Sequence, residues 1–196
     1  MLPYVNIHTH RPTGSGIELR TAGVHPWHAD MQEVATLGER LSDVQAVGET
    51  GLDFVHGPAR EVQFGALRAQ LRIARERGLP VVLHCVRAFE PLMRELAACE
   101  PRAVIFHGFI GSPEQAQQAL AKGYFLSFGE RAFASPKTLA ALRETPLSQL
   151  FLETDDSPVP IAEIYARAAE ARGVPAEELQ RATLANYKRT FETQHG

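Results

Sequence analysis

Cysteine is scarce in this chain of 196 residues, which holds only Cys85 and Cys99. Two cysteines are too few for a disulfide framework, so we interpret both as reduced thiols in a cytosolic protein. The chain also lacks any run of about 18 consecutive apolar residues. Its N-terminus has no charged segment followed by an apolar run and a cleavage site. We therefore expect a cytoplasmic protein with neither a signal peptide nor a membrane span.

An excess of basic charge is absent too, because 20 Lys and Arg residues stand against 23 Asp and Glu residues, for a net charge of −3. The overall charge therefore does not indicate nucleic-acid binding, although a bound cation can reverse the field at a local site. A hydrophobic fraction of 44% is sufficient for an ordinary core. We expect one domain over residues 1–196, acting as a monomer.

Short β-rich runs alternate with longer helical patterns along the chain. The predicted strands are residues 3–8, 17–24, 44–49, 80–84, 102–107, 124–129 and 150–154. The predicted helices are residues 31–41, 59–78, 112–123 and 135–144, followed by helices alone from about 160 to 193. Several strands are apolar on both faces, and the alternation indicates an α/β fold with a parallel sheet. An open doubly wound sheet and a closed barrel both fit this pattern.

Polar residues of metal-ligand type fall at the ends of these strands: His8, His10, Glu49, His84, His107 and Asp155. The ends of parallel strands line one rim of a barrel or one crevice of an open sheet. His8 and His10 point the same way, because the side-chain period of a strand is two residues. Imidazoles and carboxylates together make a mixed nitrogen and oxygen set that suits Zn, Mn, Fe or Mg.

Each of these residues also has a structural interpretation. A single histidine at a strand end is usually a hydrogen-bonded structural residue. Glu49 can cap a turn, and Asp155 can cap a helix. His25 lies at a strand end, where it would face substrate, and Arg87 suits either a phosphate group or a surface ion pair. Cys85 directly follows His84, so by alternation along the strand its side chain should point away from the pocket, and we interpret it as a packing residue.

Six sequence motifs resemble the TatD family of metal-dependent hydrolases, within the amidohydrolase superfamily. They are NIHTH (6–10), GVHPW (23–27), VGETGLDF (47–54), LPVVLHC (79–85), HGFIGS (107–112) and LETD (152–155). The resemblance implies a (β/α) barrel whose mouth holds two divalent ions, Mg, Mn or Zn. It also implies hydrolysis of phosphodiesters, most commonly DNA, by an exonuclease or deoxyribonuclease. DNA or another phosphodiester would then be the partner of this protein.

The resemblance also implies roles for individual residues. One ion would be held by His8, His10, Glu49 and Asp155, and the other by Glu49, His84 and His107. Glu49 would bridge the two ions, and Glu49 and Asp155 would be the catalytic residues. Asp155 would take the proton of a metal-activated water. His25 and Arg87 would bind the non-scissile phosphate oxygens.

The chain departs from the family pattern in three places. Asn6 stands where many members have Asp, which would weaken support for the ligands next to it. The sequence HCVR is one residue longer than the usual His-x-Arg, so the role of Arg87 is open. Only a dozen residues separate His10 from GVHPW, and a complete barrel needs about 250 residues. We therefore expect a distorted TIM-like barrel of seven strands that lacks one βα unit near the N-terminus.

Three alternatives remain open from the sequence. The same metal site would serve a small phosphoester, an amide or an aminoacyl ester, which the acidic balance favours modestly. A barrel of the polymerase-and-histidinol-phosphatase group also begins with His-x-His, but GETGLD and HGFIGS argue against it. An inactive barrel with a binding role is the third alternative, and the filled ligand positions argue against it.

Overall fold

The computed structural model describes residues 2–192, in which eight strands and seven α-helices are found. The strands are β1 (Val5–Asn6), β2 (Ile17–Glu18), β3 (Thr21–Ala22), β4 (Ala46–Asp53), β5 (Val81–Val86), β6 (Val104–Phe106), β7 (Phe125–Phe128) and β8 (Leu150–Leu152). The helices are α1 (Met31–Thr36), α2 (Arg60–Arg77), α3 (Phe89–Cys99), α4 (Pro113–Ala121), α5 (Pro136–Glu144), α6 (Ile161–Arg172) and α7 (Ala176–Tyr187). In the part of the chain described, no helix is long and apolar enough to cross a membrane.

The chain forms two compact units. The first holds Met1–Leu19 and His107–Gly196, and the second holds Arg20–Phe106. In the first unit the strands run parallel in the order β2, β1, β8, β7. The amide of Ile7 donates to the carbonyl of Leu152 at 3.1 Å and joins β1 to β8. Helices α6 and α7 pack against β8.

Two buried side chains replace missing strand partners in the first unit. The hydroxyl of Tyr165, on α6, donates to Val5 O at 2.9 Å and accepts from Val5 N–H at 3.2 Å. The amide of Asn186, on α7, donates to the carbonyls of Leu147 and Leu150 at 2.8 and 2.9 Å. These contacts satisfy backbone groups at β1 and at the start of β8, which would cost free energy if buried without a partner.

The second unit contains the parallel strands β3, β4, β5 and β6, paired in that order. Helices α1 and α2 pack together through a cluster that includes Val24, Val34 and Ala66. Two other apolar residues of these helices, Met31 and Val62, lie outside this cluster. Both lie at the first turn of their helices and are 50% and 40% exposed.

The predicted α/β class and parallel pairing are confirmed, and every predicted strand has a counterpart. There is one strand more than expected, because the segment 17–24 is two strands with different neighbours. Leu19 N–H still donates to Asn6 O beside β1, whereas Arg20 O already accepts from Gln45 N–H beside β4. Residues 7–16, all of which are described, hold no α-helix, as the expected loss of a βα unit requires. Helix α3 was not predicted.

Two buried glutamines on one face of α2 hold the loops that follow β3 and β4. Gln70 accepts from Val24 N–H at 2.7 Å and donates to Val24 O at 3.0 Å and to Thr50 Oγ1 at 2.8 Å. Gln63, two turns earlier, accepts from Asp53 N–H and donates to Asp53 O, both at 2.8 Å. An amide side chain can pair with both groups of one peptide unit, so each glutamine acts as a substitute strand partner.

We expect Gln70→Leu to lower the free energy of unfolding by about 3 kcal/mol, because three buried polar groups lose their partner. Urea denaturation measures the change. Gln118→Leu is the matched control, since Gln118 is exposed on α4, and it should change stability by less than about 0.5 kcal/mol. Equal effects of the two substitutions would show that the contacts of Gln70 contribute nothing specific.

Candidate metal centre

In the first unit, three candidate ligands lie beyond the paired ends of β1 and β8. His8 and His10 follow β1, and Asp155 follows β8. Asp155 N–H donates to His8 O at 3.0 Å, and His10 N–H donates to Asp155 O at 2.9 Å. Asp155 has a φ of 54°, a left-handed conformation that aspartate tolerates better than most residues. The backbone therefore brings these three side chains to one place.

The ligand atoms of these residues form a triangle. His8 Nε2 and His10 Nε2 are 3.3 Å apart. Asp155 Oδ1 lies 3.4 Å from His10 Nε2 and 3.7 Å from His8 Nε2. Ligands at about 2.0–2.1 Å from a tetrahedral zinc ion are about 3.4 Å from one another. The spacing and the donor types therefore fit one divalent ion.

His107 lies beside this triangle and is oriented by a buried carboxylate. One of its nitrogens is within 4.8 Å of the ligand atoms of His8 and Asp155. Its Nδ1 is 3.1 Å from Oε1 of Glu153, which is fully buried. A carboxylate on one ring nitrogen fixes the ring so that the other nitrogen is the ligand atom. With Glu153 on Nδ1, Nε2 is the nitrogen of His107 that could bind an ion.

Asn6 connects β1 with the segment after β8. Its Nδ2 donates to Thr154 Oγ1 at 2.9 Å, and its Oδ1 accepts from Thr154 N–H at 3.0 Å. Thr154 Oγ1 in turn donates to Thr9 Oγ1 at 3.0 Å. An aspartate at this position would lose the donor of the first bond. Asn6 thus supports the backbone that carries His8 and Asp155.

The second unit holds a second triangle, formed by His25, Glu49 and His84. His84 Nδ1 is 3.2 Å from Glu49 Oε2 and 3.3 Å from His25 Nε2. His25 Nε2 is 3.4 Å from Glu49 Oε2. All three edges have the length expected between ligands of one small divalent ion. The sequence predicts that His25 binds substrate. In the structure its ring nitrogen Nε2 lies instead with the predicted metal ligands Glu49 and His84.

A buried aspartate orients His84 as Glu153 orients His107. Asp53 Oδ2 is 3.0 Å from His84 Nε2 and accepts from Trp27 Nε1–H at 2.6 Å. Its Oδ1 accepts from the backbone N–H groups of Val55 and His56 at 2.8 and 2.9 Å. Burial opposes ionisation of Asp53, but these hydrogen bonds outweigh it and hold its pKa well below the ordinary value. The anionic carboxylate leaves Nδ1 of His84 facing the triangle.

The second glycine of GETGLD allows β4 and β5 to approach at this point. Gly51 has a φ of 145°, and a Cβ built on it would lie 1.9 Å from the carbonyl oxygen of His84. Only glycine fits there. The motif therefore brings the strand carrying Glu49 against the strand carrying His84.

Arg87 and Cys85 follow His84 in the chain, and their predicted roles differ. Arg87 is exposed after β5, has a φ of 51°, and makes no ion pair within residues 2–192. Its proposed contact with a phosphate stays a prediction. Burial raises the pKa of the Cys85 thiol to about 12, in agreement with a packing role.

The sequence predicted the candidate ligands but not the residues that support them. His8, His10, His107 and Asp155 lie together in the first unit, and Glu49 and His84 lie together in the second. Asp53 and Glu153 were missed as supporting residues. Both stand inside the motifs GETGLD and LETD, so an acidic residue close in sequence to a candidate ligand was the available signal.

Comparison with known proteins supports this interpretation. The model of the "TatD related DNase" family matches residues 17–192. The "uncharacterized metal-dependent hydrolase YjjV" of Escherichia coli K12 is 34% identical over 188 residues, which cover 84% of this chain and 73% of that protein. The "3'-5' ssDNA/RNA exonuclease TatD" of Citrobacter koseri is 32% identical over 203 residues, covering 87% of this chain and 76% of that protein.

Solved structures give the same result. The crystal structure of YjjV from E. coli K12 covers 90% of this chain and 77% of its own, with a TM-score of 0.78 and 31% identity. A TatD family hydrolase from Entamoeba histolytica has a TM-score of 0.77 at 19% identity, which supports the fold alone. With the family matched over most of its length and its ligand-type residues gathered into two triangles, the chain belongs to the TatD-related DNase family.

Proposed function

We propose that this protein is a divalent-metal-dependent phosphodiesterase that removes nucleotides from one end of single-stranded nucleic acid, primarily DNA. The observation that carries the proposal is the pair of ligand-atom triangles, with edges of 3.2–3.7 Å. Similarity to proteins named as 3'-5' single-strand exonucleases supports the choice of substrate and of the 3' end.

We divide the candidate ligands between two ions according to the two triangles. His8, His10 and Asp155 would hold one ion, with His107 beside them, and His25, Glu49 and His84 would hold the other. Divalent ions at these places supply Lewis acidity that activates water and offsets the charge of phosphoryl oxygens. Mg and Mn suit the carboxylates, and Zn suits the imidazoles.

The side chains themselves provide the proton acceptor and the positioning. The Asp155 side chain is 22% exposed, so its carboxylate can accept a proton from a water that reaches it. The Glu49 side chain is only 8% exposed and fixes the second triangle. The exposed Arg87 would pair with a non-scissile phosphate oxygen.

A second candidate keeps both ions and changes the substrate to a small phosphoester, an amide or an aminoacyl ester. The net charge of −3 favours it, because a groove for single-stranded nucleic acid normally has basic walls.

Location in the cytoplasm and a monomeric state also remain predictions, which cell fractionation and size-exclusion chromatography test.

A substrate and metal panel distinguishes the two candidates. We expect the protein with Mg or Mn to shorten a 5'-labelled single-stranded DNA oligonucleotide from its 3' end, and we expect EDTA to abolish this activity. Gel analysis of the product ladder measures it, beside a small phosphodiester, a phosphomonoester and an aminoacyl ester. Turnover of a small ester without cleavage of DNA at low salt would favour the second candidate. A metal-free preparation that binds no divalent ion would refute both.

Asp155→Asn should lower kcat at least about 100-fold, because the amide neither accepts the proton nor carries the ligand charge. The matched control is Asp156→Asn, since the neighbouring Asp156 is exposed and, among residues 2–192, pairs only with Arg131. The control should keep kcat within about twofold, and circular dichroism should show both variants folded. Full activity of Asp155→Asn would exclude Asp155 as the proton acceptor.

Glu153→Gln should weaken metal binding at the first triangle about tenfold, since the neutral amide holds the His107 ring less firmly. Isothermal titration of the metal-free protein with Mn measures the affinity without any need for turnover. Glu144→Gln, on the exposed end of α5, is the control and should leave the titration unchanged. Identical affinities in the two variants would mean that Glu153 is only a buried structural group.

A further inference from the structure

The chain contains a single tryptophan, and its side chain is exposed. Trp27 is 46% exposed and lies in the 3-10 helix Pro26–His28, directly after the candidate ligand His25. An indole is among the most costly side chains to leave in contact with water. Its exposure next to a cluster of metal-ligand residues therefore suggests a surface that a ligand covers.

The indole is held in a fixed orientation. Its Nε1–H donates to Asp53 Oδ2 at 2.6 Å, and the backbone N–H of Trp27 donates to His25 Nδ1 at 3.1 Å. A Cβ on Gly57 would lie 2.9 Å from Trp27 Cα, so the segment after β4 packs against the backbone of Trp27. The side chain is thus anchored by its polar edge and by its backbone, which lowers the entropy cost of using it for binding.

No ring within the described residues stacks in parallel on Trp27. Its ring planes meet those of His25, His56 and His84 at 84°, 56° and 75°, with centroids 5.0, 5.3 and 6.0 Å away. Two of these neighbours, His25 and His84, belong to the second triangle. A planar group stacked on the indole would therefore lie beside the candidate metal ligands.

We propose that Trp27 is a stacking platform for a nucleobase of a single-stranded substrate, next to the site formed by His25, Glu49 and His84. This inference rests on the proposed function and specifies how the substrate is recognised. Every base has a π-face, so stacking gives affinity without sequence preference. It also gives affinity without basic residues, of which this chain has no excess. A small phosphoester would make no use of the platform.

Fluorescence tests the proposal directly, because the only tryptophan is the residue in question. The probe is a thymidine hexanucleotide with phosphorothioate linkages, added to the protein with Mg. The matched probe has abasic residues at its last two positions. We expect saturable quenching by the first probe and little by the second. Binding of both probes, seen by anisotropy of a 5' label, with equal quenching or none would overturn the proposal.

Two variants separate stacking from the hydrogen bond to Asp53. Trp27→Phe keeps an aromatic face and loses Nε1–H, whereas Trp27→Leu loses both. We expect Trp27→Leu to raise KM about tenfold for cleavable DNA with its terminal bases, and to change KM less than about twofold for the abasic-ended DNA. Trp27→Phe should stay near the wild type. Val62→Ala, at an exposed apolar position of α2, is the control and should change neither value.

The outcomes are distinguishable. Equal impairment of both Trp27 variants on both substrates would show that the indole acts through Asp53, and would overturn the stacking role. A wild-type protein that neither binds nor cleaves the oligonucleotides would refute the proposed function, and the inference with it. Cleavage of both substrates with equal KM by the wild type would refute stacking alone.

Discussion

The hydrogen bond between a buried carboxylate and one nitrogen of a histidine is the interaction on which the candidate centre depends. An imidazole can face an ion with only one of its two nitrogens, so the partner of the other nitrogen decides which one it is. Asp53 is hydrogen-bonded to Nε2 of His84, so Nδ1 is the nitrogen that would bind an ion. Glu153 is hydrogen-bonded to Nδ1 of His107, so Nε2 would bind an ion there. Without Asp53 the ring of His84 could rotate, and its distances of 3.2 and 3.3 Å to Glu49 and His25 would not persist.

Buried polar side chains also hold the backbone that carries the ligands, in place of longer strands. Strands β1 and β3 have only two residues each. Tyr165 pairs with both backbone groups of Val5, and Gln70 pairs with both backbone groups of Val24. A short strand forms few ladder bonds, and each side chain of this kind supplies two more in a buried setting where their loss is costly. The precision of the site therefore comes from tertiary contacts of helices α2 and α6.

Local sequence patterns predicted those features that neighbouring residues determine. Apolar runs located the strands, and the alternation of side chains explained why His8 and His10 act together. Contacts distant in sequence were not readable in the same way. Gln70 reaches Val24 across 46 positions, and Glu153 reaches His107 across another 46. The strand predicted over residues 17–24 is divided because its two ends pair with different strands, which no property of its own residues reveals. Motifs of the family supplied the candidate ligands, and only geometry added His25 to Glu49 and His84.

The charges of the site and the exposed indole together explain why we propose a single strand as the substrate. Without ions the triangles hold the carboxylates of Glu49 and Asp155 in a chain whose net charge is −3, and phosphate is repelled. Divalent ions would reverse the sign of the field there but are confined to the site, so they do not create a long basic groove. Additional affinity must then come from contacts that do not rely on charge, and the face of Trp27 would provide such a contact. In a duplex the base faces are already stacked on one another, so only an unpaired base can occupy that face without a cost in unstacking.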